Sequence, residues 1–283
     1  MKIYELIRYG MNRLKDCNIA EAETDAELLW LHVSQMDKTK LLLEKGQEAE
    51  KALEQEYLSL IEKRSQRIPL QYITGIAGFM GMDFHTAKDV LIPRMDTETL
   101  VMKALELIEN CKTDFPKVLD LCCGSGCIGI SVKKLSDKCH VTLADISDAA
   151  LALTKENAMV LGASCDVIKS DLFEKINDRY DFIISNPPYI ESDVIESLMP
   201  EVRNYEPRLA LDGSSDGLVF YRRIIWDAAK YLKDDGYVLF EIGNNQAEDV
   251  QHLLVDAGYD DIHVIKDLCG NDRVVYGHYR IQV

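Results

Sequence analysis

Apolar positions recur every three or four residues through the first quarter of the chain. Ile3, Leu6, Ile7 and Leu14 make one stripe, Ala26, Leu28, Leu29 and Val33 a second, and Leu53, Tyr57, Leu60 and Ile61 a third. That spacing puts side chains on one face of a helix. The acidic run at 21–27 suits a helix start, and Pro69 ends the last helix of the series. Residues 1–68 are therefore expected to form a small helical bundle. The pattern then changes. Gly75, Gly78 and Gly81 interrupt it, while Phe79, Met82, Phe84, Val90, Leu91 and Ile92 suggest a short β-hairpin ending at Pro93. Residues 69–93 read as a linker carrying that hairpin. A helix is expected over 97–109, with Asp96 or Thr97 as its N-cap.

Beyond Lys117 the period alternates. Short apolar runs at 118–121, 141–144, 167–168, 182–184 and 237–242 read as strands. Helical patterns fall at 128–135, 149–161, 218–232 and 246–257. Two last strands, 262–265 and 274–279, have no helix between them, so they are expected to pair antiparallel. The whole implies an α/β fold: a doubly wound, mostly parallel sheet of seven strands over residues 94–283.

Composition narrows the function. The 283 residues are 47% hydrophobic, enough for a core in each of two domains. With 32 Lys and Arg against 48 Asp and Glu, the net charge is −16. A body this acidic repels phosphate backbones, so direct nucleic-acid binding is not expected. No apolar run reaches the roughly 18 residues of a membrane span. The eight cysteines invite a disulfide framework, but the length and the lack of a signal peptide point to free thiols in a reducing cytoplasm. Cys122, Cys123 and Cys127 have a loosely zinc-like spacing. No His–Cys pair at ligand spacing follows them, and no metal is expected. A monomer is expected.

Two segments carry chemistry. The first is a strand, Val118 to Leu121, running into Cys122-Cys123-Gly124-Ser125-Gly126 and then a helix. Glycines let the backbone approach a ligand, and the helix start beyond favours negative charge. Asp145 ends the next strand, where a carboxylate can accept from both ribose hydroxyls. Asp171 follows the third strand and could accept from an adenine amino group. A shifted match, Gly124, Gly126 and Gly129, also fits the dinucleotide fingerprint, so NAD(P) stays open from this segment alone.

The second segment is Asn186-Pro187-Pro188-Tyr189, delivered by a strand to the carboxyl edge of the sheet. The Asn186 amide oxygen and the Pro187 carbonyl are two rigid acceptors. Tyr189 offers a flat ring. Two acceptors beside a ring suit a planar NH₂ group: a glutamine or asparagine amide, adenine N6 or guanine N2. Such nitrogens are poor nucleophiles, and positioning with preorganised acceptors is what they need. An activated sulfonium as methyl donor needs no covalent intermediate and no strong base. NAD chemistry gives these four residues no task.

Taken together, these residues resemble the release-factor glutamine N5-methyltransferases, the PrmC/HemK family of class I S-adenosylmethionine-dependent methyltransferases. The likeness rests on Pro69-Leu70-Gln71-Tyr72-Ile73-Thr74-Gly75, on 90–98 (Val-Leu-Ile-Pro-Arg-Met-Asp-Thr-Glu) and on Asn186 to Tyr189. It continues through Tyr205-Glu206-Pro207 with Ala210-Leu211, and Phe240-Glu241-Ile242-Gly243. The Asn-Pro-Pro-Tyr tetrapeptide is shared with adenine and guanine methyltransferases, which leaves an exocyclic amine of a nucleic acid as the alternative target. A non-catalytic adaptor is a third reading, and the intact Asn186 and Asp145 argue against it. The linker and Tyr-Glu-Pro segments are more particular to the glutamine enzymes. The resemblance implies S-adenosylmethionine as cofactor, bound by Cys122 to Gly126, Asp145, Asp171, Leu172 and Asn186. It implies a peptide chain release factor as partner, methylated on the glutamine of its Gly-Gly-Gln motif. Asn186, Pro187, Pro188 and Tyr189 would hold the substrate, and the helical domain would help recognise it. The sequence departs from the family at Met95 (usually Pro), at Cys122 (usually Gly), at Cys123 (often Thr) and at Leu172, where some relatives carry a ring beside adenine. Glu241 reads equally as a residue orienting its neighbours or as a turn cap. Arg94 reads as the partner of some carboxylate, in the cofactor or in the protein body. Gly270, Asp272 and Arg273 read as a structural loop.

Overall fold

The computed structural model describes residues 1–280. The chain divides into two compact units, one of Met1–Ile76 with Met199–Tyr205, the other of the remaining residues. The first contains helices α1 (Ile3–Asp16), α2 (Ala22–Ser34), α3 (Lys38–Glu44), α4 (Lys51–Ser65) and α5 (Leu70–Thr74). The apolar stripes meet in one core around Leu6, Leu14, Leu29, Trp30, Tyr57 and Ile61. Trp30 and Tyr57 pack edge to face, 5.7 Å between ring centres. Gly10 on α1 lets this happen, because a Cβ there would collide with the Tyr57 hydroxyl.

From Ala77 the second unit continues the hairpin of β1 (Ile76–Phe79) and β2 (Met82–His85), followed by α6 (Glu98–Glu109). Then come β3 (Lys117–Leu121), α7 (Cys127–Leu135), β4 (His140–Asp145), α8 (Asp148–Val160), β5 (Asp166–Lys169) and β6 (Tyr180–Ser185). After α9 (Pro200–Tyr205), which belongs to the first unit, the chain forms α10 (Val219–Tyr231), β7 (Leu232–Glu241), α11 (Ala247–Asp256), β8 (Asp260–Lys266) and β9 (Asp272–Tyr279). The main sheet runs β5-β4-β3-β6-β7-β9-β8. Its first five strands are parallel, and β9 is antiparallel to both β7 and β8. The alternation of periods in the sequence thus gives the expected doubly wound sheet, and the helix-free last pair is antiparallel.

Register sets the site. Leu121 pairs with Ala144 on one side and Ser185 on the other, and Ser185 pairs with Phe240. The residues that follow, Cys122, Asp145, Asn186 and Glu241, therefore stand side by side at the carboxyl edge. Helix α7 lies tight on the sheet at Gly129, where a Cβ would strike Leu143 and crowd Val141 and Asp120.

Segment Met199–Tyr205 is tied into the first unit by charge. Arg64 donates to Asp25 (2.7 Å) and to Glu201 (3.0 Å), and Arg67 donates to Glu201 (2.7 Å). Asp25, Arg64 and Glu201 are all buried. Burial raises the Asp25 pKa, and the Arg64 hydrogen bond opposes that rise. Removing one partner of a buried pair strands the other charge. Arg64→Ala is expected to cost about 3–5 kcal/mol in the first unit. Denaturant unfolding followed through Trp30 emission in a Trp226→Phe background measures it, and a loss below about 1 kcal/mol would contradict the network's role.

Candidate active site

The carboxyl edge opens into a cavity of about 300 Å³, lined by the residues that follow β3, β4, β5 and β6, by α7, α8 and α10, and by the segments at 89–97 and 207–210. That volume is within the range of small-molecule sites. At one end Asp145 is held by two backbone amides, Gly124 N–H on Oδ2 (2.9 Å) and Ser147 N–H on Oδ1 (2.8 Å). Each oxygen keeps a lone pair for a ligand hydroxyl. Burial raises the Asp145 pKa, and the amides of Ser147, Gly124 and Ile146 offset this.

The loop from Cys122 is strained at its start. Cys122 has φ +59°, a left-handed conformation that costs an L-residue roughly 1–2 kcal/mol. Gly124 (φ +56°) has no atom within 4 Å of the place a Cβ would take, so its backbone faces open space. Gly126 (φ +80°) caps α7, where a Cβ would come 2.8 Å from Ile130. Burial pushes the thiols of Cys122 and Cys123 upward and that of Cys127 to about 12.

At the other end lie Asp171 and Leu172, the latter at φ +47°. The sequence reading did not place α10 here. Phe220 and Arg223, one turn apart on that helix, line the same wall. Arg223 donates to Asp171 Oδ1 at 2.8 Å and stands 6.0 Å from the Phe220 ring centre. Its period-3.6 pattern marks α10 as a helix, but which helix closes a pocket is a tertiary fact.

Asn186 and Pro188 line the cavity from β6. Of the residues singled out from the sequence, Cys122, Cys123, Gly124, Ser125, Asp145, Asp171, Leu172, Asn186 and Pro188 are thus brought together. Gly126, Pro187 and Tyr189 are outside the lining. The Tyr189 hydroxyl donates to Glu241 Oε1 (3.2 Å), and its carbonyl accepts from Gln246 Nε2 (3.0 Å). Gly213 and Gly217 press on the same backbone; a Cβ on Gly213 would come 2.8 Å from the Tyr189 Cα. The Asn186 amide nitrogen donates to Thr97 Oγ1 at 3.4 Å. Thr97 and Glu241 are both buried. Burial raises the Glu241 pKa, while Thr97, Arg273 and Tyr189 pull it down and Asp96 pushes it up. Arg94 finds its carboxylate inside the protein: it pairs with Glu206, which also accepts from Ile92 N–H (3.4 Å). This joins the 89–97 wall to the 207–210 wall. Arg273 is held in its loop by Asp267 (3.2 Å) and by the Ile242 carbonyl (3.2 Å).

A parallel sheet with an antiparallel strand inserted next to the last, a glycine loop after β3, an acid ending β4 and an asparagine after β6 define a class I S-adenosylmethionine-dependent methyltransferase. A dinucleotide-binding sheet has six parallel strands and no such insertion. A methyltransferase from Pyrococcus furiosus has the same fold (TM-score 0.53, 15% identity, covering 71% of this chain and 91% of that one). A ribosomal RNA methyltransferase from T. thermophilus, solved with AdoMet and guanosine, also has it (TM-score 0.54, 16% identity, 72% of this chain and 50% of that one). Residues 5–75 match the PrmC N-terminal domain and residues 95–202 the methyltransferase small domain. The release factor glutamine methyltransferase of Clostridium botulinum is 40% identical over 280 residues, 97% of this chain and 98% of that protein. The one from Bacillus cereus is 35% identical over 281 residues, 98% and 99%. The chain belongs to the release factor glutamine methyltransferase family.

Two measurements check the site. Asp145→Ala removes both carboxylate oxygens from the cavity wall, so the dissociation constant for S-adenosylmethionine should rise at least about tenfold in calorimetry; an unchanged constant would contradict the expected ribose contact. The second concerns Asp120, wholly buried below the loop. Its Oδ2 accepts from Gly129 N–H (2.9 Å) and its Oδ1 has no partner. Burial raises its pKa from 3.8 to about 8. The folded chain keeps this proton where the unfolded chain has lost it. The group's contribution is therefore full at acid pH and fades as pH climbs from 3.8 towards 8. Asp120→Asn should lose that part of the pH slope in unfolding free energy, and identical slopes in the two proteins would refute the burial argument.

Proposed function

We propose that this chain transfers the methyl group of S-adenosylmethionine to the side-chain amide nitrogen of a glutamine in a peptide chain release factor. The observation that carries the substrate is the likeness over both units, 40% identity across 97% of the chain. The cavity fits the cofactor: the open backbone at Gly124, the two free lone pairs of Asp145 and the Asp171–Leu172 wall match a nucleoside with a charged tail. When bound, the cofactor supplies a sulfonium methyl whose departure leaves a neutral thioether.

The chain's own residues do the positioning. Asp145 would take the ribose hydroxyls of the bound cofactor, the Cys122–Ser125 loop would hold its methionine part, and Asp171 and Leu172 would bound its adenine. Asn186 Oδ1 and the Pro187 carbonyl accept the two N–H bonds of the substrate amide and direct its nitrogen lone pair at the methyl. The N–C bond forms as the S–C bond breaks, and the bond pair stays on sulfur. The alkylated nitrogen is strongly acidic and loses its proton to water. Pro188 and Tyr189 make the rigid surround of the amide. Residues 1–68 recognise the body of the release factor, 69–93 link, and 94–283 catalyse.

The acidic body, net −16, suits a basic protein loop better than a phosphate backbone. Eight free cysteines agree with a reducing, cytoplasmic setting, and we read the enzyme as a monomer there. No helix among the described residues is long and apolar enough to cross a membrane.

Labelled cofactor supplied with release factor, or with nucleic acid, separates this reading from amine methylation of adenine or guanine. Label should enter the release factor; label in nucleic acid alone would overturn the reading. Asn186→Ala should lower the turnover number about a hundredfold with the fold kept. Steady-state kinetics at saturating cofactor checks this, and an undiminished rate would remove Asn186 from the chemistry.

A further inference from the structure

The peptides that carry the chain from Cys123 to Gly126 have almost all of their polar groups engaged. The Cys123 carbonyl accepts from Gly126 N–H (2.8 Å), and Gly124 N–H donates to Asp145 Oδ2 (2.9 Å). The Gly124 carbonyl accepts from the Thr154 hydroxyl (2.9 Å), and the Ser125 carbonyl accepts from Asn157 Nδ2 (2.9 Å). Of these peptide groups, the Ser125 N–H alone has no hydrogen-bond partner among the described residues.

Both side-chain donors come from α8, one turn apart. Thr154 and Asn157 are wholly buried and outside the cavity lining, so they reach the loop from its buried side. Each is committed. A threonine hydroxyl has a single proton, and here it goes to Gly124, which leaves the Thr154 oxygen to accept from the Cys123 thiol at 3.6 Å. Asn157 Oδ1 accepts from His85 N–H (2.8 Å), while Nδ2 gives one proton to the His85 carbonyl (3.2 Å) and the other to Ser125. A flipped amide would set its oxygen against two carbonyls, so the partners fix its orientation.

The cavity side of the loop has no such support. Nothing stands within 4 Å of the place a Cβ on Gly124 would take, and glycine is the residue most free to turn. The shape of the loop is therefore set from behind. A trans peptide points its N–H opposite to its carbonyl. With the Gly124 carbonyl drawn to Thr154, the Ser125 N–H is turned away from α8, to the side on which Gly124 and Ser125 line the cavity. A carbonyl on that side would repel an anionic group, whereas an N–H just before α7 attracts it.

We propose that Thr154 and Asn157 are positioning residues for the cofactor. They hold the Gly124 and Ser125 carbonyls on the buried side of the loop and so present the Ser125 N–H to the carboxylate of the cofactor's amino-acid tail. Asn157 also binds both backbone groups of His85, which ties the end of β2 to the loop. The inference rests on the reading that the Cys122–Ser125 loop holds the methionine part.

The test compares two ligands on the full chain by calorimetry. S-adenosylhomocysteine has the amino-acid tail; 5′-methylthioadenosine keeps the nucleoside and the sulfur and lacks the tail. Thr154→Val keeps the shape of threonine and removes the donor, Thr154→Ala removes the donor with less crowding, and Thr154→Ser keeps it. The valine and alanine variants should bind S-adenosylhomocysteine at least about tenfold more weakly, with 5′-methylthioadenosine within about twofold of wild type. Serine should bring S-adenosylhomocysteine back to within about threefold. Asn157→Ala should show the same selective loss as valine. Undiminished binding of S-adenosylhomocysteine in Thr154→Val, Thr154→Ala or Asn157→Ala overturns the proposal. So does an equal loss of both ligands, which would mark a general loosening of the site. An equal loss in Thr154→Ser and Thr154→Val overturns it too, since packing and not the hydroxyl would then matter. Thr154→Ala decides the matter if the valine variant fails to fold. Wild-type protein that binds the two ligands equally well overturns the reading beneath and the proposal with it, and is told apart because no variant is needed to see it.

Discussion

Parallel strands end on the same edge, and that constraint organises the site. Because β3 pairs in register with β4 and β6, and β6 with β7, four consecutive strand tips are neighbours in space although they are far apart in sequence. Cys122 opens the ligand loop, Asp145 offers two acceptor oxygens, Asn186 offers one, and Glu241 stands behind it. A slip of one residue in any of these ladders would turn the tip side chain to the other face of the sheet. The buried Val118, Leu119, Phe182, Ile183, Ile184, Val238 and Leu239 make such a slip unfavourable, since both sheet faces are covered by helices.

The edge also needs support from behind. Gly129 lets α7 approach the sheet, and Gly213 and Gly217 let the 211–217 turn press against the backbone of Tyr189. Gln246 bridges the Tyr189 and Gly217 carbonyls (3.0 and 3.4 Å). Such contacts leave Asn186 and its neighbours little freedom, which is what transfer to a weakly nucleophilic amide demands. Strain appears in the cavity wall at Asp89, Cys122 and Leu172, the three non-glycine residues of the lining with left-handed backbones.

Much of this was legible in the sequence for physical reasons. Strands with apolar runs and helices with a 3.6 period gave the alternating order, and the missing helix between the last two strands gave their antiparallel pairing. The turn residues and the proline pair marked the ligand loop and the Asn186 tip. What the sequence concealed was tertiary. The polar Lys233-Asp234-Asp235-Gly236 reads as a turn, yet β7 begins at Leu232, and its pairing with β6 shifts register across that stretch. Helices α5 and α9 are too short, at five and six residues, to show a period. The Asp25–Arg64–Glu201 network joins residues up to 176 positions apart (201 minus 25) and has no local signature. Phe220 and Arg223 enter the site from a segment whose own pattern speaks only of helix. Gly126, a candidate ligand residue by position, is the turn glycine at the start of α7, packed on Ile130.

The central claim is that a glutamine amide is seized at the Asn186 tip and methylated on nitrogen. Its most direct measurement is fragmentation mass spectrometry of a release factor after incubation with the enzyme and S-adenosylmethionine. The account predicts a single added methyl on one glutamine side-chain nitrogen. A methyl on a main-chain, carboxyl or lysine group, or none on the release factor at all, would contradict it.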